Sequence, residues 1–197
     1  MLEKIFEKAA LFISHILSPP LVAFAVLLYA IFEEKVYQNP HFNRALIYSI
    51  VIIFLLPLGY TLVLKRLKLI SNFFYSQKKE RIYLFPLIIA VLVAMMALVP
   101  YYQASTTIMK YLQVSTLLFL FIAIITPIIK VSLHMSGLTS LFIIMLWLWG
   151  GKSLWFAFLL PPVAWSRLYL NQHTALQIVS GTFIGGFGTL LYIYLTK

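Results

Sequence analysis

What most limits this chain is the brevity of its polar breaks. Apolar runs at 21–32, 45–64, 82–99, 112–129, 138–149, 154–165 and 174–195 fill most of its 197 residues. Hydrophobic side chains make up 62% of the chain and charged ones 10%, and the mean hydropathy is +0.97. A soluble domain cannot hide that much apolar surface. The fold class this predicts is all-α: a polytopic transmembrane helical bundle of about six to seven membrane segments, forming one domain over residues 1–197.

Taken in order, residues 2–18 read as a short helix, with Leu2, Ile5, Phe6, Ala9 and Ile13 at helical spacing. Ser18-Pro19-Pro20 ends it, because proline lacks an N–H and clashes with the preceding turn. The first span is 21–32, or starts at Ala9 if the kink lies within the bilayer. The second, 45–64, is interrupted by Pro57 and Gly59, and the most basic loop, Lys65 to Arg81, follows it. Gly150-Gly151-Lys152 reads as a turn. The sixth span, 154–165, is short for a core of about 30 Å, carries Pro161-Pro162, and continues to Leu170. In the last span Gly181 and Gly185 allow a neighbouring helix to come close.

The net charge of +10 sits in loops next to apolar spans. That pattern suits membrane topology and anionic lipid headgroups rather than nucleic acid. The absence of cysteine excludes disulfides and thiolate chemistry. The opening Met-Leu-Glu-Lys-Ile-Phe-Glu-Lys mixes acids with bases and precedes no small-residue cleavage site, so no removed signal peptide is expected.

Against this background Ser166, Arg167 and His173 stand together between two apolar segments. Arginine offers a fixed fork of donors that suits phosphate oxygens. Histidine serves as nucleophile or proton carrier near neutral pH, and His173 stands where a helix N-terminus would also favour an anion. A second polar group, Lys130, Ser132 and His134, precedes the fifth span. With seven crossings, the loops after spans two, four and six share one face, and these hold Lys78–Arg81, Ser132–His134 and Ser166–His173. That face carries ten of the fifteen Lys and Arg residues, or six against five once Lys78, Lys79, Arg81 and Arg167 are set aside as ligands. Sidedness is therefore open.

Ser166-Arg167, five residues, His173, three residues, Gln177 resembles the third signature of the type-2 phosphatidic acid phosphatase and haloperoxidase superfamily, Ser-Arg-x-x-x-x-x-His-x-x-x-Asp. Gln177 stands in place of Asp, and Gly181 falls where that family often has glycine. Lys130-Val131-Ser132-Leu133-His134 is similar to the Lys-x-Ser-x-His segment of divergent bacterial membrane members. Lys78 and Pro86 keep the spacing of the first signature, Lys-x-x-x-x-x-x-Arg-Pro, with Phe85 where Arg is expected. The resemblance covers roughly 75–185, a phosphatase-like core.

The resemblance implies that His173 attacks phosphorus, that Gln177 orients it, and that His134 protonates the leaving alcohol. It implies phosphate ligands in Lys78, Arg81 and Arg167, with Ser132 or Ser166. It implies no metal and no cofactor. The expected partners are membrane lipids and a lipid phosphate substrate, such as phosphatidate, phosphatidylglycerophosphate, a polyprenyl phosphate or a lipid A phosphate. No obligatory protein partner and no nucleic acid is implied, and the expected location is the bacterial inner membrane. Two other readings stand beside it: an inactive relative that binds a lipid phosphate without turnover, and a transporter or scaffold subunit.

Overall fold

Lipid offers a backbone no hydrogen-bond partners, so a chain this apolar must satisfy its own N–H and C=O groups within helices. The computed structural model describes residues 2–33, 35–71, 75, 77–102 and 106–196, and among these there is no strand. The α-helices are α1 (Leu2–Ile16), α2 (Pro19–Glu33), α3 (Phe42–Ile50), α4 (Leu56–Arg66), α5 (Arg81–Leu98), α6 (Thr106–Ile125), α7 (Leu133–Trp149), α8 (Leu160–Tyr169) and α9 (Ala175–Leu195). Five helical stretches are long and apolar enough to cross a membrane, or up to six if the helices either side of Pro19 form one broken span. The chain thus has the make-up of an integral, multi-pass membrane protein. It divides into two compact units, one of residues 1–22 and 128–197, the other of residues 23–127. The stretch 75–185 is shared between them.

In the unit of residues 23–127, α5 packs along α6 and also meets α3. A π turn, Val51–Leu55, joins α3 to α4 just before Pro57. Proline supplies no N–H to the preceding turn, and a π turn is one way a helix accommodates the loss. Phe24 meets Phe54 of this turn edge to face, with centroids 5.2 Å apart. Beyond α4, the basic loop is anchored on a buried cluster of Leu64, Ile70 and Tyr75, where the Tyr75 hydroxyl lies 2.9 Å from Thr61 Oγ1. The buried Glu80 carboxylate accepts the Ser71 N–H at 2.7 Å, and it closes a capping box with Gln77 ahead of α5.

The other unit is built on α7 and α9. Three contacts share one offset: Ser132 lies at Gly181, Ser136 at Gly185, and Ser140 at Thr189, always 49 residues apart. A constant offset means that the two helices run parallel, with small residues facing at every fourth position. A Cβ added to Gly181 would stand 2.8 Å from the Ser132 carbonyl oxygen, and one added to Gly185 would overlap the Ser136 backbone. Thr189 Oγ1 lies 2.7 Å from the Gly185 carbonyl and 2.6 Å from Ser140 Oγ. With one proton on each hydroxyl, Thr189 donates to the carbonyl and Ser140 donates to Thr189.

On the opposite face of α9, Leu176, Val179, Phe183, Phe187 and Leu190 are all exposed. Small side chains inward and large apolar ones outward is the pattern of a helix solvated by lipid.

Between these parallel helices the chain must return. Gly150 takes φ +64° and ψ −147°, a region essentially closed to other residues, and there the chain folds back. Ser153 Oγ then donates to the Met145 carbonyl at 3.1 Å, eight residues back. A 3-10 stretch, Gly150–Leu159, and α8 pack on α7. Residues 133–169 are therefore a hairpin and not one rod. Pro161 and Pro162 sit in the first turn of α8, where a missing N–H costs nothing, so the α-helix starts only at Leu160. The expected spans 138–149 and 154–165 correspond to its two arms, but α7 begins earlier, at Leu133, and so takes His134 into its first turn. Likewise α6 begins at Thr106, ahead of the expected 112.

Replacing Gly185 by Ala should destabilise the protein by about 1–3 kcal/mol, because the overlap is with backbone and cannot be relieved by a rotamer change. The matched control is Gly59→Ala in α4, where the added Cβ meets nothing within 4 Å and helix propensity favours alanine. Thermal unfolding in detergent should put Gly185→Ala well below the parent protein and Gly59→Ala at or above it.

Candidate functional site

Because α7 and α9 are parallel, both N-termini lie at one end of this unit, and the hairpin brings the end of α8 to the same place. The connections are bonded to one another there. The Ser132 N–H donates to the Gln177 carbonyl at 3.3 Å, and Lys130 Nζ donates to the Gln172 carbonyl at 3.3 Å. The Arg167 carbonyl accepts both the Gln172 N–H at 3.1 Å and the His173 N–H at 3.3 Å, which turns the chain tightly from α8 into α9. Asn171 supplies the left-handed residue of that turn, with φ +51°. Lys130, Leu168, Asn171, Gln172, His173, Thr174 and Gln177 line an open depression of ≈ 420 Å³.

His173 stands just ahead of the N-cap of α9 and is 7% exposed. Its Nδ1 lies 2.9 Å from Gln177 Oε1. The same oxygen accepts the Thr174 N–H at 3.4 Å, while Thr174 Oγ1 accepts the Gln177 N–H at 3.3 Å. This is a capping box, and it settles a proton. A backbone N–H can only donate, so the atom it meets is the amide oxygen of Gln177 and not the nitrogen. Nδ1 of His173 then carries hydrogen, and in the neutral ring the lone pair falls on Nε2. Gln177 thus orients the ring by the same bonds that start the helix.

Arg167, on the last turn of α8, is 9% exposed. Its Nη1 donates to Ser14 Oγ at 2.6 Å, and its Nε has no hydrogen-bond partner. Ser132 Oγ, fully buried at the N-cap of α7, also lacks one. His134 Nε2 lies 3.3 Å from the Ser14 carbonyl, which can only accept, so this nitrogen carries hydrogen. Residues 81–197 contain no Asp or Glu at all. The buried guanidinium is therefore matched by a neutral hydroxyl, an arrangement costly for a charge unless an anion comes from outside.

Ser166 is buried and turns its hydroxyl back to the Val163 carbonyl at 2.9 Å, so its helix uses it. Of the two serines considered as phosphate donors, Ser132 is the one with a hydroxyl left over. Lys78 and Arg81 belong to the unit of residues 23–127. There Lys78 is exposed in the turn before α5, and Arg81 is buried as the first residue of α5. That unit has its own depression, also ≈ 420 Å³, lined by Lys65, Lys68, Lys79 and Glu80 among others.

The sequence reading already grouped Lys130 with Ser132 and His134. Ser14 escaped it, because it stands more than a hundred residues from His134 and Arg167. Comparison with known proteins adds no assignment: no family model, curated protein or solved structure matches the chain.

The tautomer assignment can be read directly. Ring ¹⁵N shifts of selectively labelled protein should identify His173 as the Nδ1–H form. Gln177→Leu should shift the ring toward a mixture of tautomers, whereas Gln177→Glu, which keeps both length and acceptor, should preserve the Nδ1–H form.

Proposed function

We propose that this protein is a membrane-embedded phosphatase acting on a lipid phosphate through a phosphohistidine intermediate. The observation that carries the reading is the buried, acid-free cluster itself. A histidine with its nucleophilic nitrogen defined stands one tight turn from a buried arginine that has no carboxylate partner. A phosphate group is the anion such a site would complete. In its fully ionised state it carries the charge that Arg167 and Lys130 lack, and its oxygens suit the vacant Nε–H of Arg167 and the hydroxyl of Ser132.

In the proposed reaction His173 Nε2 attacks phosphorus, forming an N–P bond as the P–O bond to the lipid alcohol breaks. His134 enters this step as the imidazolium: the departing oxygen takes its Nδ1 proton, and the neutral ring keeps its Nε2–H on the Ser14 carbonyl. Water then attacks the phosphohistidine, gives its proton back to His134, and releases inorganic phosphate. Positioning and charge neutralisation do most of the catalytic work in phosphoryl transfer. Gln177 performs the orienting part of the family's Asp without its charge, so the reading is of a slow enzyme. For Lys78 the warrant remains the spacing of the first signature, and Arg81 would supply charge from the neighbouring turn. The substrate's tails stay in lipid, and the seven-crossing reading counts the two arms of the 133–169 hairpin as separate spans of an inner-membrane protein.

The decisive experiment is phosphate release from mixed-lipid vesicles containing phosphatidate, phosphatidylglycerophosphate or a polyprenyl phosphate. His173→Ala should lower turnover at least about a thousandfold, since losing a nucleophile costs several decades. Gln177→Glu should raise it several-fold. A parent protein that retains lipid phosphate without releasing phosphate would favour the binding-protein reading.

Topology is open to the cysteine-free chain. Single cysteines at Ile129 and Asn171 should react with an impermeant thiol reagent from one side of the membrane, and one at Lys152 from the other. Labelling of all three from one side would make the hairpin re-entrant and remove a pair of crossings.

A further inference from the structure

Helix α1 lies outside everything the motifs cover, yet it reaches the centre of the site. Its contacts run from Glu3 to Ser14, about 16 Å of helix. Phe6 packs on Trp165 and Tyr169, each with ring centroids 6.4 Å away, and Tyr169 donates to the Glu3 carbonyl at 3.2 Å. Helix α1 therefore packs against α8. One turn apart on its inner face, Ala10 and Ser14 are buried.

Ser14 uses two acceptors there. Its hydroxyl oxygen takes the Nη1–H of Arg167 at 2.6 Å, and its carbonyl takes the Nε2–H of His134 at 3.3 Å. One residue thus holds the phosphate-binding arm and the proposed acid. Arg167 is a long, buried side chain, so without a fixed acceptor its fork has several places to point. The hydroxyl that fixes Nη1 leaves Nε as the unpartnered donor.

We infer that Ser14 is a positioning residue of this site, so that the N-terminal helix is part of the catalytic unit and not a leader to it. The inference rests on the phosphatase reading and names a residue that reading does not contain. Ser14 acts through Arg167. Its contribution should therefore grow as the phosphoryl group becomes pentavalent, where the guanidinium's aim matters most.

The test uses the purified full chain in detergent micelles carrying dioctanoyl phosphatidate, as the parent, Ser14→Ala and Ser14→Thr, with His173→Ala as the inactive baseline. Turnover is measured beside the affinities for orthovanadate, which mimics the pentavalent state, and inorganic phosphate, which mimics the ground state. Ser14→Ala should lower kcat about tenfold and weaken vanadate about tenfold, while KM and phosphate affinity move less than about threefold. Ser14→Thr, which keeps the hydroxyl, should stay within about threefold of the parent throughout. A Ser14→Ala protein with parental kcat and vanadate affinity would overturn the role and leave the phosphatase reading standing. So would equal weakening of vanadate and phosphate with a lowered unfolding temperature that Ser14→Thr fails to restore, since that describes packing alone. If the parent protein neither releases phosphate nor binds vanadate, the phosphatase reading falls and the role falls with it.

Discussion

The polar end of this unit exists because two backbones touch. In lipid there is no hydrophobic gain from bringing helices together, so association depends on close packing and on hydrogen bonds between them. Helices α7 and α9 obtain both by placing Ser132, Ser136 and Ser140 against Gly181, Gly185 and Thr189. The near-contact of Gly185 with the Ser136 backbone leaves no freedom to slide by one residue, because the next register would set a side chain where none fits. That lock puts the first turns of α7 and α9 level. Everything chemical in the unit follows from their being level: Ser132 reaches the Gln177 carbonyl, Lys130 reaches the Gln172 carbonyl, and His134 and His173 share one end.

The second constraint is electrostatic. A buried arginine ordinarily finds a carboxylate, and its absence here shapes the whole neighbourhood. Arg167 is held by a neutral oxygen from α1, and its Nε–H has no hydrogen-bond partner. Adding an internal acid would satisfy the charge and also occupy the anion's place. Gln177 fits the same logic. With glutamine at this position the capping box forms and the His173 ring is oriented without a negative charge beside it.

How far the sequence could be read differs between these parts. The helices were legible because apolar runs separated by prolines, glycines and basic breaks have few alternatives in a membrane. The breaks at Pro19, Pro57, Gly150 and Pro161 all fall where proline's missing N–H or glycine's extra backbone freedom demands them. Helix starts were less legible: α7 takes in His134 because Ser132 caps it in extended conformation, a choice fixed by its bond to α9 and not by local preference. Within the site, Arg167, His173 and Gln177 could be grouped because a tight turn and one helical turn separate them, so their proximity is local.

By itself, then, the sequence determined an all-helical membrane chain and a short polar stretch from Ser166 to Gln177 whose members meet through local geometry. Only the tertiary structure decided which groups complete that stretch. It spends the Ser166 hydroxyl on its own helix and leaves that of Ser132 without a hydrogen-bond partner. It also delivered Ser14, 153 residues from Arg167 in the chain, to the guanidinium. No pattern in a sequence encodes that pairing. It arises because α1 packs against α8 with Ala10 and Ser14 buried, and because a buried charge must take whatever oxygen the packing offers.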